Sequence, residues 1–164
     1  MDLLEPIEQI ISIHHVYLRR VLPEILREAG KAHHSLQNAH SQKLFEGVAL
    51  LHEELHKHML KEEVILFPAI LEVERAAEGG TKLDLTRYDI QNPLEQMECE
   101  HQAAEQCLAD IDAAGEKIEW KKKFPLLYKM IYELKADLSA HVQLEEKTLF
   151  TQAREIYFQV MKRQ

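Results

Sequence analysis

The histidines are the residues in this sequence best suited to chemistry, and two of them begin the same short pattern. Ten of the 164 residues are His. His58 is followed four residues later by Glu62, and His141 is followed at the same spacing by Glu145. Residues four apart lie about 5–6 Å from each other on one face of a helix, so each pair would direct an imidazole and a carboxylate at one point. Both groups are common metal ligands.

The two patterns belong to an internal repeat. Segments 58–70 (HMLKEEVILFPAI) and 141–153 (HVQLEEKTLFTQA) match at His, at both Glu, at Leu and at Phe, with an offset of 83 residues. Two further histidines, His15 and His101, are 86 residues apart. Each half of the chain would therefore contain one helix with a single His and a second helix with H-x-x-x-E. Together the halves predict a site of four imidazoles and two carboxylates.

A hydrogen-bonded role in the core is the ordinary alternative for a single buried histidine. It fails for six such residues together, because an ionised carboxylate removed from water costs several kcal/mol and neutral imidazoles cannot neutralise two of them. Divalent metal can. Six ligands favour two ions over one, since structural zinc usually takes four ligands and often Cys. The added carboxylates favour a redox-active ion, with iron first and manganese or zinc behind it.

The elements that must position these residues are helices. Gly and Pro divide the sequence into four segments with helical apolar periodicity, and no segment shows the period of a strand. The sequence predicts an all-α fold, an antiparallel up-down four-helix bundle with a short C-terminal helical tail, in one domain over residues 1–164. The expected helices span residues 5–29, 41–78, 93–115 and 120–150, with the tail at 156–160.

Single Gly, Pro and Asn residues set the expected boundaries. Proline favours the first turn of a helix or a kink, glycine favours a C-terminal cap, and asparagine favours an N-terminal cap. We expect kinks at Pro23 and Pro68, C-terminal caps at Gly30, Gly79–Gly80 and Gly115, and a linker ending at Asn92, which would cap the helix that starts at Pro93.

Each of the four apolar stripes is interrupted by His where an apolar side chain is expected. In helix 1 the spacing permits either His14 or His15, and the 86-residue offset favours His15. In helix 2 the stripe continues to Ile65 or Leu66. The remaining histidines fall off the stripes: His14, His33, His34, His40, His52 and His56. His52 and His56 are four residues apart and are expected on a solvated face, with adventitious zinc binding as the alternative.

Around the repeat the chain resembles the hemerythrin-like (HHE) domains, and more closely the repair-of-iron-centres (RIC) family. The resemblance covers nearly all of the chain and rests on HHVYLRRVLPEI around His15, HMLKEEVILFP from His58, PLEQMECEH ending at His101 and HVQLEEKTLF from His141. It implies a four-helix bundle with two non-haem iron ions, bridged by an oxo or hydroxo group and two carboxylates. The ligands that it implies are His15, His58, Glu62, His101, His141 and Glu145.

The chain departs from these families at three points. RIC proteins usually carry a small Cys-rich N-terminal domain, which we expect to be absent because helix 1 is predicted to begin almost at Met1. Oxygen-carrying hemerythrins have a second His one turn after the third-helix ligand and a late Asp ligand. Glu105 occupies the first of these positions and no late Asp is evident, which disfavours reversible oxygen transport.

Three glutamates are candidates for the surroundings of the ligands. Glu54 precedes His58 by one turn and Glu100 precedes His101 in sequence, so either side chain could hydrogen-bond a ligand imidazole or line an access path. Glu105 is the third candidate. An ordinary surface charge is the alternative for all three.

The resemblance implies a stress protein that handles nitric oxide, oxygen or peroxide, or that donates iron to an acceptor protein with a damaged iron centre. The alternative is a module that senses oxygen, redox state or iron, and no catalytic acid or base can be assigned for an enzyme. The net charge of −8 disfavours nucleic acid and acidic membrane surfaces as partners.

A cytoplasmic location is expected from the termini and the cysteines. No apolar run reaches the ~18 residues that span a bilayer, and the N-terminus lacks the features of a signal peptide. In a helix Cys99 and Cys107 would lie about 12 Å apart, beyond the ~7 Å limit for a disulfide. Unpaired cysteines are typical of a reducing compartment.

Overall fold

Four long helices make up almost all of the described structure. The computed structural model describes residues 2–79, 84 and 88–163, and among these residues there is no strand. The all-α prediction is confirmed. In chain order the elements are α1 (Leu4–Gln9), π1 (Ile10–His15), α2 (Val16–Leu36), α3 (Ala39–Lys61), π2 (Glu62–Leu66), α4 (Phe67–Gly79), α5 (Gln91–Lys117), α6 (Trp120–Lys123), α7 (Pro125–Leu144), π3 (Glu145–Phe150) and α8 (Thr151–Lys162).

We group these elements into helix 1 (residues 4–36), helix 2 (39–79), helix 3 (91–117) and helix 4 (120–162). Helix 4 is interrupted at Phe124, between α6 and α7. The predicted C-terminal tail is the direct continuation of helix 4 through α8. Within the described residues, no helix is both long and apolar enough to cross a membrane.

Two apolar clusters fill the bundle, one at each end. Core cluster 1 occupies the end formed by α2, α3, α5 and α7, and core cluster 2 occupies the end formed by α1, α4, the start of α5, and α8. Helices 1 and 3 pass from cluster 2 to cluster 1, whereas helices 2 and 4 pass from cluster 1 to cluster 2. This alternation is the up-down antiparallel arrangement. Representative members are Leu22, Leu51, Ile111 and Leu134 in cluster 1, and Ile7, Ile70, Leu94 and Ile156 in cluster 2.

Helix 1 is longer than predicted, because Gly30 does not end it. The helix continues to Leu36 and ends at Gln37, which has a left-handed backbone with φ 49°. A glycine inside a helix costs only about 1 kcal/mol relative to alanine. Ala29 and Ala32 are fully buried on either side of Gly30, so packing against cluster 1 outweighs that cost.

Helix 3 also differs from the prediction at both ends. It begins at Gln91, and the Asp89 carboxylate, rather than Asn92, accepts the Gln91 backbone N–H at 3.0 Å. It ends at Lys117 and not at Gly115. A Cβ at Gly115 would lie 2.3 Å from Cδ2 of Trp120. Gly115 is therefore explained by the close approach of the indole ring. The expected linker lies mostly at residues 80–83 and 85–87, outside the described residues.

Helix 2 begins with an N-terminal cap that was not predicted. Asn38 precedes the first helical turn and its side chain accepts the Ser41 backbone N–H at 2.8 Å, while the Ser41 hydroxyl accepts the Asn38 N–H. This reciprocal capping starts the helix at Ala39, two residues before the predicted start.

Candidate metal centre

The six residues singled out by the repeat converge between the two apolar clusters, where every one of them is buried. They form two groups of four residues. Within each group, the atoms that could bind a metal ion lie within 4.8 Å of one another. Glu62 and Glu145 belong to both groups. We call the group completed by His15 and His141 site 1, and the group completed by His58 and His101 site 2.

Each shared glutamate presents one oxygen to each site. Glu62 Oε2 lies 3.2 Å from Nε2 of His15, and its Oε1 lies 3.2 Å from Nε2 of His58. Glu145 Oε1 lies 2.6 Å from Nε2 of His141, and its Oε2 lies 3.0 Å from Nε2 of His101. This is the arrangement of carboxylates that can bridge two cations.

Several of these buried atoms have no hydrogen-bond partner, although other polar atoms lie close by. They are Nε2 of His15, both carboxylate oxygens of Glu62, and Oε2 of Glu145. A buried polar atom without a partner costs about 1–3 kcal/mol, and more when it is charged. The atoms point at a common centre and are poorly aligned with one another. The donor set therefore fits a divalent cation better than a hydrogen-bonded network.

The charges of the site depend on each other. Burial lowers the pKa of His58, but the close negative charge of Glu62, the charge of Glu145 and the hydrogen bond to Glu100 outweigh it and raise the pKa to about 9. The pKa values of His15 and His101 are raised in the same way, against burial, by the glutamates. Burial would raise the pKa of Glu145, yet His141 and His101 lower it. A cation entering the site would displace protons from these imidazoles.

Three of the four imidazoles are held from behind by a carboxylate. The Nδ1 atom of His15 is 2.7 Å from Glu63, that of His58 is 2.9 Å from Glu100, and that of His101 is 2.8 Å from Glu146. Once a cation has displaced the proton of Nε2, the Nδ1–H still donates to the carboxylate, which fixes the ring and raises the basicity of Nε2.

The carboxylates behind the imidazoles have their own partners. Arg19 donates two hydrogen bonds to Glu63, at 2.9 and 3.0 Å. Lys61 and Gln96 both donate to Glu100.

Of the three glutamates proposed from sequence, only Glu100 is hydrogen-bonded to a ligand imidazole. Glu54 is exposed and accepts a hydrogen bond from Lys57 at 3.2 Å, and it lines a cavity that reaches His58 and His101, the other role predicted for it. Glu105 is exposed and borders an open groove beside His101. Sequence reasoning missed Glu63 and Glu146. The signal for both was the second Glu of each repeat, which matches between the two halves.

The site lies at irregular turns of three helices. His15 is the last residue of π1, Glu62 is the first of π2, and Glu145 is the first of π3. In π2 the Phe67 N–H reaches back five residues to the carbonyl of Glu62. Such wide turns are frequent at functional sites.

The π2 turn also corrects the helix 2 prediction. Pro68 has no N–H to give to the preceding turn, and the irregularity expected at Pro68 lies just before it, in π2. The wider turn lets Leu66 and Phe67 both face cluster 2, whereas Ile65 is exposed. Of the two alternatives for the apolar stripe, Leu66 is therefore the buried one.

The chain is similar in sequence to proteins of known families. Residues 7–153 match the hemerythrin HHE cation binding domain. An iron-sulfur cluster repair protein YtfE from Cronobacter sakazakii is 34% identical across 92% of this chain, and the match covers 66% of that protein. The proteins of the same name from Escherichia coli O1:K1 and Escherichia fergusonii are 32% identical with the same coverage. This chain thus spans slightly less than two thirds of the length of these relatives. It belongs to the hemerythrin HHE cation-binding domain family.

Proposed function

We propose that the six buried ligand residues bind two iron ions, one at site 1 and one at site 2. The observation that carries this proposal is the sharing of Glu62 and Glu145 between two groups of ligands. Each ion would receive two imidazoles and an oxygen from each carboxylate. Imidazole with carboxylate suits iron, and the absence of thiolate from the set argues against structural zinc.

We propose further that this di-iron domain protects cells against nitric oxide or oxidative stress and supports the repair of iron centres by donating iron. The relatives named as iron-sulfur cluster repair proteins support this function. The ligand count supports it too, since four protein donors at each ion leave coordination positions for a small molecule. When bound, the iron pair would supply redox chemistry at those positions.

Site 2 is accessible to a small molecule. A cavity of about 110 Å³ between helices 2 and 3 reaches His58 and His101 of site 2. Leu51, Leu55 and Ala104 are among the apolar side chains that line it. A polar molecule such as peroxide would lose hydrogen bonds to water in such a cavity, whereas nitric oxide or dioxygen would lose little. The lining therefore favours a diatomic ligand at site 2.

The protein's own residues would perform three tasks in this function. Glu63, Glu100 and Glu146 orient three of the ligand imidazoles through their Nδ1 atoms. Clusters 1 and 2 cover both ends of the site and exclude bulk water from it. Glu62 and Glu145 would each offer one oxygen to either ion, so a carboxylate oxygen would remain for the second ion when the first is lost.

Iron donation is the direct test of this function. The iron-loaded, reduced protein is mixed anaerobically with an iron–sulfur enzyme whose cluster nitric oxide has damaged, and recovery of that enzyme's activity is followed. We expect recovery with the native protein and none with a Glu145→Gln variant. Glu105→Gln, an exposed change outside the ligand set, is the matched control. Equal recovery with Glu145→Gln would contradict the repair function.

Reaction with oxygen separates a stress protein from a carrier or sensor. The ligand count leaves positions open at both ions, so we expect oxygen to convert the reduced centre to a stable oxidised state. Purging with inert gas should not restore the reduced spectrum. Recovery over repeated cycles would favour reversible binding and would contradict the proposed stress function.

A further inference from the structure

The imidazole of His141 differs from the other three ligand imidazoles. Its Nδ1 atom is buried and has no hydrogen-bond partner. The ring is held by contacts between rings: His14 stacks on it with centroids 5.2 Å apart and planes 5° apart, and His15 meets it edge-on at 5.0 Å. These contacts fix the orientation of the ring, but none of them accepts the Nδ1 proton.

The internal repeat explains why this partner is missing. Glu100, which accepts the proton of His58 Nδ1, immediately precedes His101 in the sequence. The residue that immediately precedes His15, at the equivalent position of the other half, is His14. A histidine thus occupies the place from which a carboxylate serves the corresponding imidazole.

The acidic residue one turn before His141 on the same helix is engaged elsewhere. Asp137 lies one turn before His141, and its Oδ1 is 3.0 Å from Nδ1 of His14. The other oxygen, Oδ2, is buried without a hydrogen-bond partner. Asp137 therefore holds His14 in its stacked position and does not serve His141.

We propose that site 1 binds a divalent cation more weakly than site 2, so that site 1 is filled second and emptied first. Both imidazoles of site 2 are held by carboxylates, through Glu100 and Glu146, whereas site 1 has only Glu63 on His15. The two bridging glutamates are common to both sites and cannot cause the difference. Loss of one such partner typically lowers metal affinity by about 10- to 100-fold.

This inference deepens the proposed function, and it rests on it, because it names site 1 as the source of the iron that is donated. Site 2 would keep its ion while its cavity admits the small ligand. Site 1 would thus release iron, and site 2 would bind the small ligand.

We test the inference by titrating the metal-free protein with Co²⁺ without oxygen and measuring the heat of binding by calorimetry. Charge repulsion between two bridged ions separates the binding steps even for identical sites, so the variants carry the test. His14→Glu places a carboxylate where the repeat has one, and it should strengthen the weaker step about 10-fold or more. Glu100→Gln should weaken the tighter step by a similar factor. Glu105→Gln should change neither step.

If repulsion between the introduced carboxylate and Asp137 unfolds His14→Glu, the double variant His14→Glu/Asp137→Asn removes that repulsion and provides the same test. Release to a chelator provides a second readout: the faster phase of Co²⁺ loss should slow in either variant. An unchanged weaker step and an unchanged faster phase, in variants that fold, would overturn the inference. Saturation by a single ion would instead contradict the proposed di-iron centre.

Discussion

The two halves of the chain present their candidate ligands in the same order but surround them differently. One half contributes His15 and His58, and the other contributes His101 and His141. Glu63, behind His15, is clamped by two hydrogen bonds from Arg19 and its side chain is 22% exposed. Its counterpart Glu146, behind His101, is 37% exposed.

The two sites also differ in what surrounds their imidazoles. Site 2 has a carboxylate on both imidazoles and an apolar cavity that reaches them, whereas site 1 has one carboxylate and a stacked histidine. The helix repeat thus fixes which atoms can bind a cation. Single residues next to the ligands, such as His14 and Glu100, determine how firmly each cation is held.

The largest effect is expected from the shared carboxylates. Glu145→Gln removes a negatively charged ligand from both sites at once, so the protein should lose almost all of its iron. Elemental analysis after anaerobic reconstitution measures this loss. Glu105→Gln, an exposed change outside the ligand set, is the control and should retain the iron. Loss confined to one ion in Glu145→Gln would show that the carboxylate is not shared.

The next effect separates two adjacent histidines. His15→Ala removes a ligand of site 1 and should abolish binding there while site 2 keeps its ion. His14→Ala removes only a stacking contact with His141 and should lower the iron content far less. Iron content and Co²⁺ titration of both variants measure the difference. Equal losses, or the opposite order, would mean that His15 is not the ligand on helix 1.

Glu63 and Glu146 provide a smaller, matched comparison. Each accepts the Nδ1 proton of one ligand imidazole, so Gln at either position should lower the affinity of one site by about 10- to 100-fold. Glu63→Gln should have the larger effect, because Arg19 orients Glu63 and water reaches it less. Calorimetric titration with Co²⁺ checks the order, and a larger effect of Glu146→Gln would contradict it.

The smallest effect concerns access to site 2. Ala104→Phe introduces a bulky ring into the apolar cavity beside His58 and His101. It should slow binding of nitric oxide to the reduced protein several-fold in stopped-flow measurements and leave the iron content unchanged. Ala113→Phe, at an exposed position of the same helix that lines neither this cavity nor the groove beside His101, is the control. Unchanged kinetics in Ala104→Phe would show that the small ligand enters by another route.

The structure brings together the six residues that the sequence predicts as ligands, because helical spacing and the repeat both constrain their positions. The choice between His14 and His15 needed the repeat, since spacing permitted both and the structure buries both. The π turns were not predicted, because the extra residue in each turn leaves no signature in apolar periodicity. Glu63 was missed because periodicity places it on the outer face of helix 2. Its side chain nevertheless reaches His15 on helix 1.

Helix ends were the least predictable feature, and glycine is the reason. Gly30 lies inside helix 1 because the buried residues around it continue to pack. Gly115 lies inside helix 3 because Trp120, from the next helix, requires the space. In both cases a contact with another part of the chain decides the structure, and no local pattern records that contact.

Metal stoichiometry tests the central claim most directly. The protein is purified without oxygen, stripped of metal, and titrated with Fe²⁺ while bound iron and the visible spectrum are followed. Because two groups of ligands share both glutamates, we expect binding to saturate at two ions per chain, with a spectrum that depends on the presence of both. Saturation at one ion per chain would contradict the account.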